Sequence, residues 1–274
     1  MRFDPVHFVP PADALTRRRL LAIGGGAAVL SACGSSPKPA PANQTRRISH
    51  AFELTDGLPL ERILAMEPDL VVATDSLKRP DYDKLSAVVP TVGPIRSDGA
   101  YGTPWREHTR RMATIFGREE RAEQVIADAE TRYAETRRAH PEFAGKTLSY
   151  VWPTAPDYFL YFDVDPRVQL LLELGFELTD TAIALSKENP AEFYASVGSE
   201  GLLKYDADAI VAQSYGSEAI DAQRNKLFQS VPAVRRGALV RLPKDVADGV
   251  AFGTVLSAMA VLDDLAGLLA KVAR

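Results

Sequence analysis

Apolar and polar positions change spacing several times along the 274 residues. The first apolar run, Leu20 to Ala32, follows Thr16-Arg17-Arg18-Arg19 directly and holds thirteen residues. A helix crossing ~30 Å of hydrocarbon needs about 20 apolar residues. The run is therefore predicted to be the apolar core of an export signal and not a membrane span. Farther on, Leu60, Ile63 and Leu64 recur at helical spacing, which predicts a helix over 60–66 stopped by Pro68. Asp69 to Thr74 is a short β-branched run and predicts a buried parallel strand. A helix over 82–88 and a strand over 89–92 follow from the same reasoning.

From Trp105 to His140 the period is helical throughout. Met112, Ile115 and Phe116 share one face; after a kink at Gly117, Ala122, Val125, Ile126, Ala129 and Tyr133 share another. Arg, Glu and Asp fill the positions between them, which predicts one long helix packed along its length. Strand-like runs then return at 146–151, 158–162, 208–213 and 238–242. Helices are predicted over 168–174 and 252–272, with a short one capped by Ser199 whose inner face carries Leu202 and Leu203. Alternating strands and helices on both sides of a long helix predict two α/β lobes joined by a spine. In open α/β sheets, ligands bind beyond the C-terminal strand ends. Arg96, Trp152, Tyr158, Tyr161, Arg167 and Tyr215 lie at or near such ends and are the candidate ligand contacts. Arg brings charge-assisted donors and the aromatic rings bring contact area.

The segment Leu30-Ser31-Ala32-Cys33-Gly34 resembles the bacterial lipobox, in which the Cys thiol takes a diacylglycerol. Cys33 is the single cysteine of the chain, so an internal disulfide is excluded and lipid attachment is the expected role. The Arg pair before Leu20-Leu21 also resembles a twin-arginine signal, which leaves export by either the Tat or the Sec route. The Pro- and Ser-rich stretch after Cys33 reads as a semi-extended tether, and two acyl chains would hold it at a membrane. Residues 1–32 contain four arginines and two aspartates, so the remainder carries 28 basic and 34 acidic side chains. That acidic balance argues against nucleic acid as a partner, because phosphate contacts need clustered Lys and Arg.

Leu58-Pro59-Leu60-Glu61-Arg62-Ile63-Leu64-Ala65-Met66-Glu67-Pro68-Asp69-Leu70-Val71-Val72-Ala73 resembles the helix–strand signature of the iron-siderophore solute-binding proteins of ABC importers, a group that includes vitamin B12 binders. Gly102-Thr103-Pro104-Trp105, His140 to Lys146, Leu172 to Phe176, Asp206 to Ile210 and Leu227 to Gly237 follow in the family's order, so the resemblance covers about 45–274. It implies an α/β, two-lobed solute-binding-protein fold with a long helix connecting the lobes. It implies a monomer that captures a ferric siderophore and delivers it to an ABC permease and its ATPase, with no cofactor, no metal site and no catalytic residue of its own. By motif match, Glu61 and Glu200 are the residues that would dock on permease arginines, each offering two acceptor oxygens to a guanidinium. The organisation expected is a signal peptide over 1–32, a tether over 33–44, an N-terminal α/β lobe over 45–104, the connecting helix over 105–140 and a C-terminal α/β lobe over 141–274.

One feature departs from the family. Ile48 to Phe52 resembles the leading strand, yet Asp56-Gly57 leads into the Glu61 helix only four residues later. The opening βαβ unit is expected to be absent, and a shortened first lobe would weaken binding. An adaptor lipoprotein that kept the fold and lost its ligand is therefore an alternative, as is a binder of haem or cobalamin. An enzyme is disfavoured: no Gly-x-Ser-x-Gly elbow is present, and residues 33–274 hold only His50, His108 and His140. A direct Zn or Mn carrier would need histidines and carboxylates converging on one site, and these three are scattered.

Overall fold

The computed structural model describes residues 58–68, 70–73, 77–94, 102–154, 157–198, 200–213, 224–251 and 254–272. The predicted signal, Cys33, the tether and Ile48 to Phe52 lie outside these residues. The chain divides into two compact units, a smaller one that includes 58–73 and 79–92 and a larger one that includes 93–272.

In the smaller unit, α1 (Leu60–Leu64) buries none of its residues. The helix ends well before Pro68, and Glu67 takes a left-handed φ of 50°. β1 (Val71–Val72) pairs in parallel with β2 (Thr91–Val92). The helix between them, α2 (Arg79–Ser86), buries Leu85, and Val89 continues the same core.

The larger unit is built on a six-stranded mixed sheet. Its strands are β3 (Thr147–Pro153), β4 (Asp157–Tyr161), β5 (Glu177–Leu178), β6 (Tyr194–Gly198), β7 (Ala209–Gln213) and β8 (Leu239–Leu242). The order is β6-β4-β3-β7-β8, with β5 also on β3. β7 and β5 run parallel to β3, β8 runs parallel to β7, and β4 is antiparallel to both β3 and β6. β7 lies between two parallel neighbours and every residue of Ala-Ile-Val-Ala-Gln is buried, as its continuous apolar run dictates. The starts of β3 and β7 are clasped together: Asp208 Oδ2 accepts from Thr147 N at 2.8 Å and Thr147 Oγ1 at 3.0 Å. The Thr147 backbone bond leads in holding the Asp208 carboxyl below its ordinary pKa.

The predicted single helix over 105–140 is two helices, α3 (Trp105–Phe116) and α4 (Glu119–Ala139). Gly117 turns left-handed (φ 60°, ψ 47°) and caps α3, a conformation that glycine adopts without steric cost. The second helix then doubles back, because Arg106 meets Glu130 and Arg110 meets Glu123. The expected spine is thus a helical hairpin inside the larger unit. Ala122, Ile126, Ala129, Tyr133 and Thr136 form the buried stripe of α4, at the spacing the sequence shows.

α5 (Pro166–Glu173) is fastened to this hairpin at its C-terminal end. Glu173 Oε1 accepts from Trp105 Nε1 at 3.1 Å and from Arg106, while its carbonyl accepts from Arg137. Burial opposes ionisation of Glu173, but the hydrogen bonds from Arg106 and Trp105 outweigh it and hold the carboxyl below its usual range. The remaining helices are α6 (Asp180–Glu188), α7 (Lys226–Ser230), α8 (Pro232–Arg235), α9 (Lys244–Ala251) and α10 (Val255–Leu269). Thr179, Asn225 and Thr254 cap α6, α7 and α10 by accepting from backbone N–H groups. Residues 201–205 form a 3-10 turn instead of an α-helix. Its tighter winding turns Leu202 inward and leaves Leu203 43 % exposed, against the expectation that both face the core. Ser199, expected to cap it, lies outside the described residues. The strands β5 and β6 and the helices α6, α7, α8 and α9 have no counterpart in the sequence prediction.

Candidate ligand-binding face

β4 is the middle strand of an antiparallel trio, and its register decides which side chains meet. Trp152 stands opposite Phe159, Phe159 opposite Ser196, Tyr161 opposite Tyr194 and Asp157 opposite Gly198. Side chains alternate along each strand, so Asp157, Phe159 and Tyr161 share one face with Tyr150 and Trp152 of β3 and with Tyr194 and Ser196 of β6. The face is graded. Its inner row is three tyrosines, its middle row is Trp152, Phe159 and Ser196, and its outer row includes Asp157.

Two of the three inner tyrosines are closed off. Tyr150 and Tyr161 are buried and meet edge to face with centroids 5.6 Å apart. The middle of the face is half-buried: Phe159 lies 4.7 Å from Tyr194, and Phe193, just before β6, lies 4.8 Å from Tyr194. Trp152, Phe159, Phe193 and Tyr194 all pack partly against the core and keep part of their surface in solvent. Ser196 and Gly198 are exposed, and Ser196 Oγ donates to Asp157 Oδ2 at 3.2 Å.

Against the inner row of this face stands a buried ion pair. Asp165 caps α5, and its carboxylate accepts from Arg167 N at 2.9 Å, Nε at 2.8 Å and Nη2 at 2.7 Å. Asp165 is 0 % exposed and Arg167 7 %. The guanidinium carbon lies 3.9 Å from the centroid of the Tyr161 ring and 5.9 Å from that of Tyr150, a cation–π stack. Burial works against the Arg167 charge, but Asp165 more than restores it, so the guanidinium titrates above its ordinary value. Burial likewise pushes the Tyr161 phenol above its ordinary pKa, with Arg167 pulling the other way. The pair cancels its own charge and stiffens the corner from which the aromatic rings project.

The sequence candidates fall into distinct places. Trp152 is in the half-buried middle of the face, and Tyr161 and Arg167 are at its buried inner end. Tyr158 is on the opposite side of the sheet, 0 % exposed, with its ring stacked 5.4 Å from Phe228 of α7. Arg96 and Tyr215 lie outside the described residues. Glu61 in α1 and Glu200 at the start of the 3-10 turn are both exposed, each on its own unit. Phe159, Phe193, Tyr194 and Asp157 were not among the candidates. The signal that finds them is parity: Asp157, Phe159 and Tyr161 alternate with Tyr158 and Leu160, and a shift of one residue exchanges the two faces. Among the described residues no group of three or more His, Cys, Asp or Glu is placed to hold a metal ion. No described helix is long and apolar enough to cross a membrane.

Comparison with known proteins puts this geometry in a family. The probable siderophore-binding lipoprotein YfiY of Bacillus subtilis (strain 168) is 26 % identical over 190 residues, an alignment that covers 65 % of this chain and 56 % of that protein. The chain thus spans little more than half the length of that relative. The crystal structure of PiaA from Streptococcus pneumoniae in complex with ferrichrome is similar, with a TM-score of 0.67 at 24 % identity, over 81 % of this chain and 75 % of that one. FhuD2 from Staphylococcus aureus with bound ferrioxamine B is similar with a TM-score of 0.64 at 20 % identity, over 78 % of this chain and 81 % of that one. At such identities the likeness carries the fold, a mixed α/β fold of the solute-binding-protein kind. Residues 35–246 match the family described as periplasmic binding protein. The chain belongs to the periplasmic binding protein family, a family of binding proteins and not of enzymes.

Proposed function

We propose that this protein captures a ferric siderophore outside the cytoplasm and hands it to an ABC permease driven by its ATPase. The observation that carries this reading is the half-buried aromatic face of Trp152, Phe159 and Tyr194, braced by the Asp165–Arg167 pair, in a member of a solute-binding family. A ferric siderophore is bulky, and flat rings give it contact area at little cost in side-chain freedom. In this reading Trp152 touches the ligand, with Phe159 and Tyr194 beside it. Tyr161 and Arg167 hold the wall, and Tyr158 holds the sheet from behind. Arg96 and Tyr215 keep the ligand-contacting role their sequence positions suggest.

The two units are then the two lobes of the molecule, with residues 105–140 following the first in the chain. Glu61 on one and Glu200 on the other would each dock on permease arginines. Cys33 would carry the lipid that keeps the protein beside its permease, as the lipoprotein name of the Bacillus subtilis relative suggests. The proposal is tested by thermal unfolding with and without ferric trishydroxamate. A ligand that binds only the folded chain raises stability by RT ln(1 + [L]/Kd), about 2.7 kcal/mol at a hundredfold excess over Kd. A clear rise with the ferric complex and none with the iron-free chelator supports the reading. An unchanged melting temperature with ferric trishydroxamate, tris-catecholate, haem and cobalamin alike would favour the adaptor alternative. That alternative draws support from a smaller unit in which α1 buries nothing and each described strand has two residues.

A further inference from the structure

We infer that the aromatic face selects a neutral or cationic ferric complex and discriminates against a polyanionic one, an inference that rests on the siderophore reading above. The charges on and beside the face decide it. The guanidinium at its buried inner end, Arg167, has its Nε and Nη2 engaged by the two oxygens of Asp165, and its carbon lies 3.9 Å from the centroid of the Tyr161 ring. That cation is matched one for one inside the protein and is 7 % exposed, so it offers little to a ligand's negative charge. Among the described residues, the next charged group on the same face of the sheet is Asp157, in register with Gly198 and on the same side as Phe159. Its carboxylate receives the Ser196 hydroxyl at 3.2 Å, which orients it without neutralising it. Among the described residues of these strands, a complex seated on Trp152 and Phe159 therefore meets the π faces of aromatic rings, which favour positive charge, and one carboxylate beyond them; a contact from Arg96 would act in the opposite sense and is what the trianion probe would expose. An uncharged complex loses nothing to this field, and a cationic one gains from it. A trianion at about 8 Å from one carboxylate is repelled enough to cost about tenfold in affinity even in a watery setting.

The test is a fluorescence titration of the whole chain, in which Trp152 lies on the face and Trp105 is buried elsewhere. Three probes are used: a neutral ferric trishydroxamate, a monocationic ferric trishydroxamate bearing a free ammonium, and a trianionic ferric tris-catecholate. The expected result is a Kd for the neutral and cationic complexes at least about tenfold below that of the trianion at low salt. The ratio narrows as salt shortens the Debye length to about 3 Å at 1 M. In Asp157→Asn, with folding checked by thermal melting, the ratio falls by about threefold or more. The salt series on the unaltered chain carries the test by itself should that variant fail to fold. Equal or tighter binding of the trianion overturns the inference and leaves the siderophore reading standing. A ratio indifferent to both salt and Asp157→Asn also overturns it. Failure of all three probes to bind at about 100 μM removes the siderophore reading, and this inference with it.

Discussion

The ion pair at the start of α5 shows how a few side chains can set the character of a site. Asp165 serves at once as helix cap and as counter-charge, and it has no exposed surface. Asp165→Ala leaves the Arg167 cation buried without its partner, a change that costs about 3–5 kcal/mol. Urea unfolding should show that loss, and most of it should return in Asp165→Ala combined with Arg167→Met. Glu173 gives a pH-dependent counterpart. Its carboxyl titrates lower in the folded chain than in the unfolded one. Its contribution is therefore present above the unfolded value of about 4.3 and is lost as the pH falls through the folded value. Glu173→Gln should cost about 1.5–3 kcal/mol near neutral pH. The gap to the unaltered chain should narrow progressively in melts taken as the pH falls below the unfolded value of about 4.3. Trp152 supplies the local reporter: Trp152→Phe should remove most of the ligand-induced quenching and spare the emission of Trp105, which is buried against Tyr133.

Elements with a single dominant period were readable from the chain, and those set by partners far along it were not. β7 is a continuous apolar run between two parallel neighbours, so its burial was legible in Ala209–Gln213 alone. The buried stripe of α4 was legible for the same reason. The hairpin of α3 and α4 was not, because Gly117 reads equally as a kink or as a stop. The choice is made by Arg106 and Arg110 finding Glu130 and Glu123. Nor was β6, whose half-exposed residues acquire meaning only in register with β4. The same parity placed Tyr158 behind the sheet and Phe159 in front of it. Close helix packing adds a constraint that composition hides. A Cβ on Gly249 of α9 would meet Val261 Cγ1 at 2.4 Å and Cγ2 at 2.7 Å. Both methyls of a β-branched side chain are involved, so no rotamer relieves the clash. Gly249→Ala should destabilise the chain by about 1–3 kcal/mol despite alanine's better helix propensity, measurable as a lower urea midpoint with an unchanged slope.

At the scale of the whole molecule, a binding protein must do two things: hold a solute and be held where the solute is needed. In the proposed reading the second falls to Cys33 and to Glu61 and Glu200. If Cys33 carries the anchor, Cys33→Ala should release the exported protein from membranes into the soluble fraction, and retention there would count against lipid attachment. The same reading gives the first to the larger unit, whose sheet presents an aromatic face beside a self-neutralised ion pair. The measurement that bears most directly on it is isothermal titration of the purified chain with a neutral ferric trishydroxamate, alongside its iron-free form. Saturable one-to-one binding of the ferric complex with a Kd of about 10 μM or tighter, and at least about tenfold weaker binding of the iron-free chelator, is the predicted result. The absence of saturable heat with the ferric complex, at protein concentrations where folding is confirmed, would contradict it.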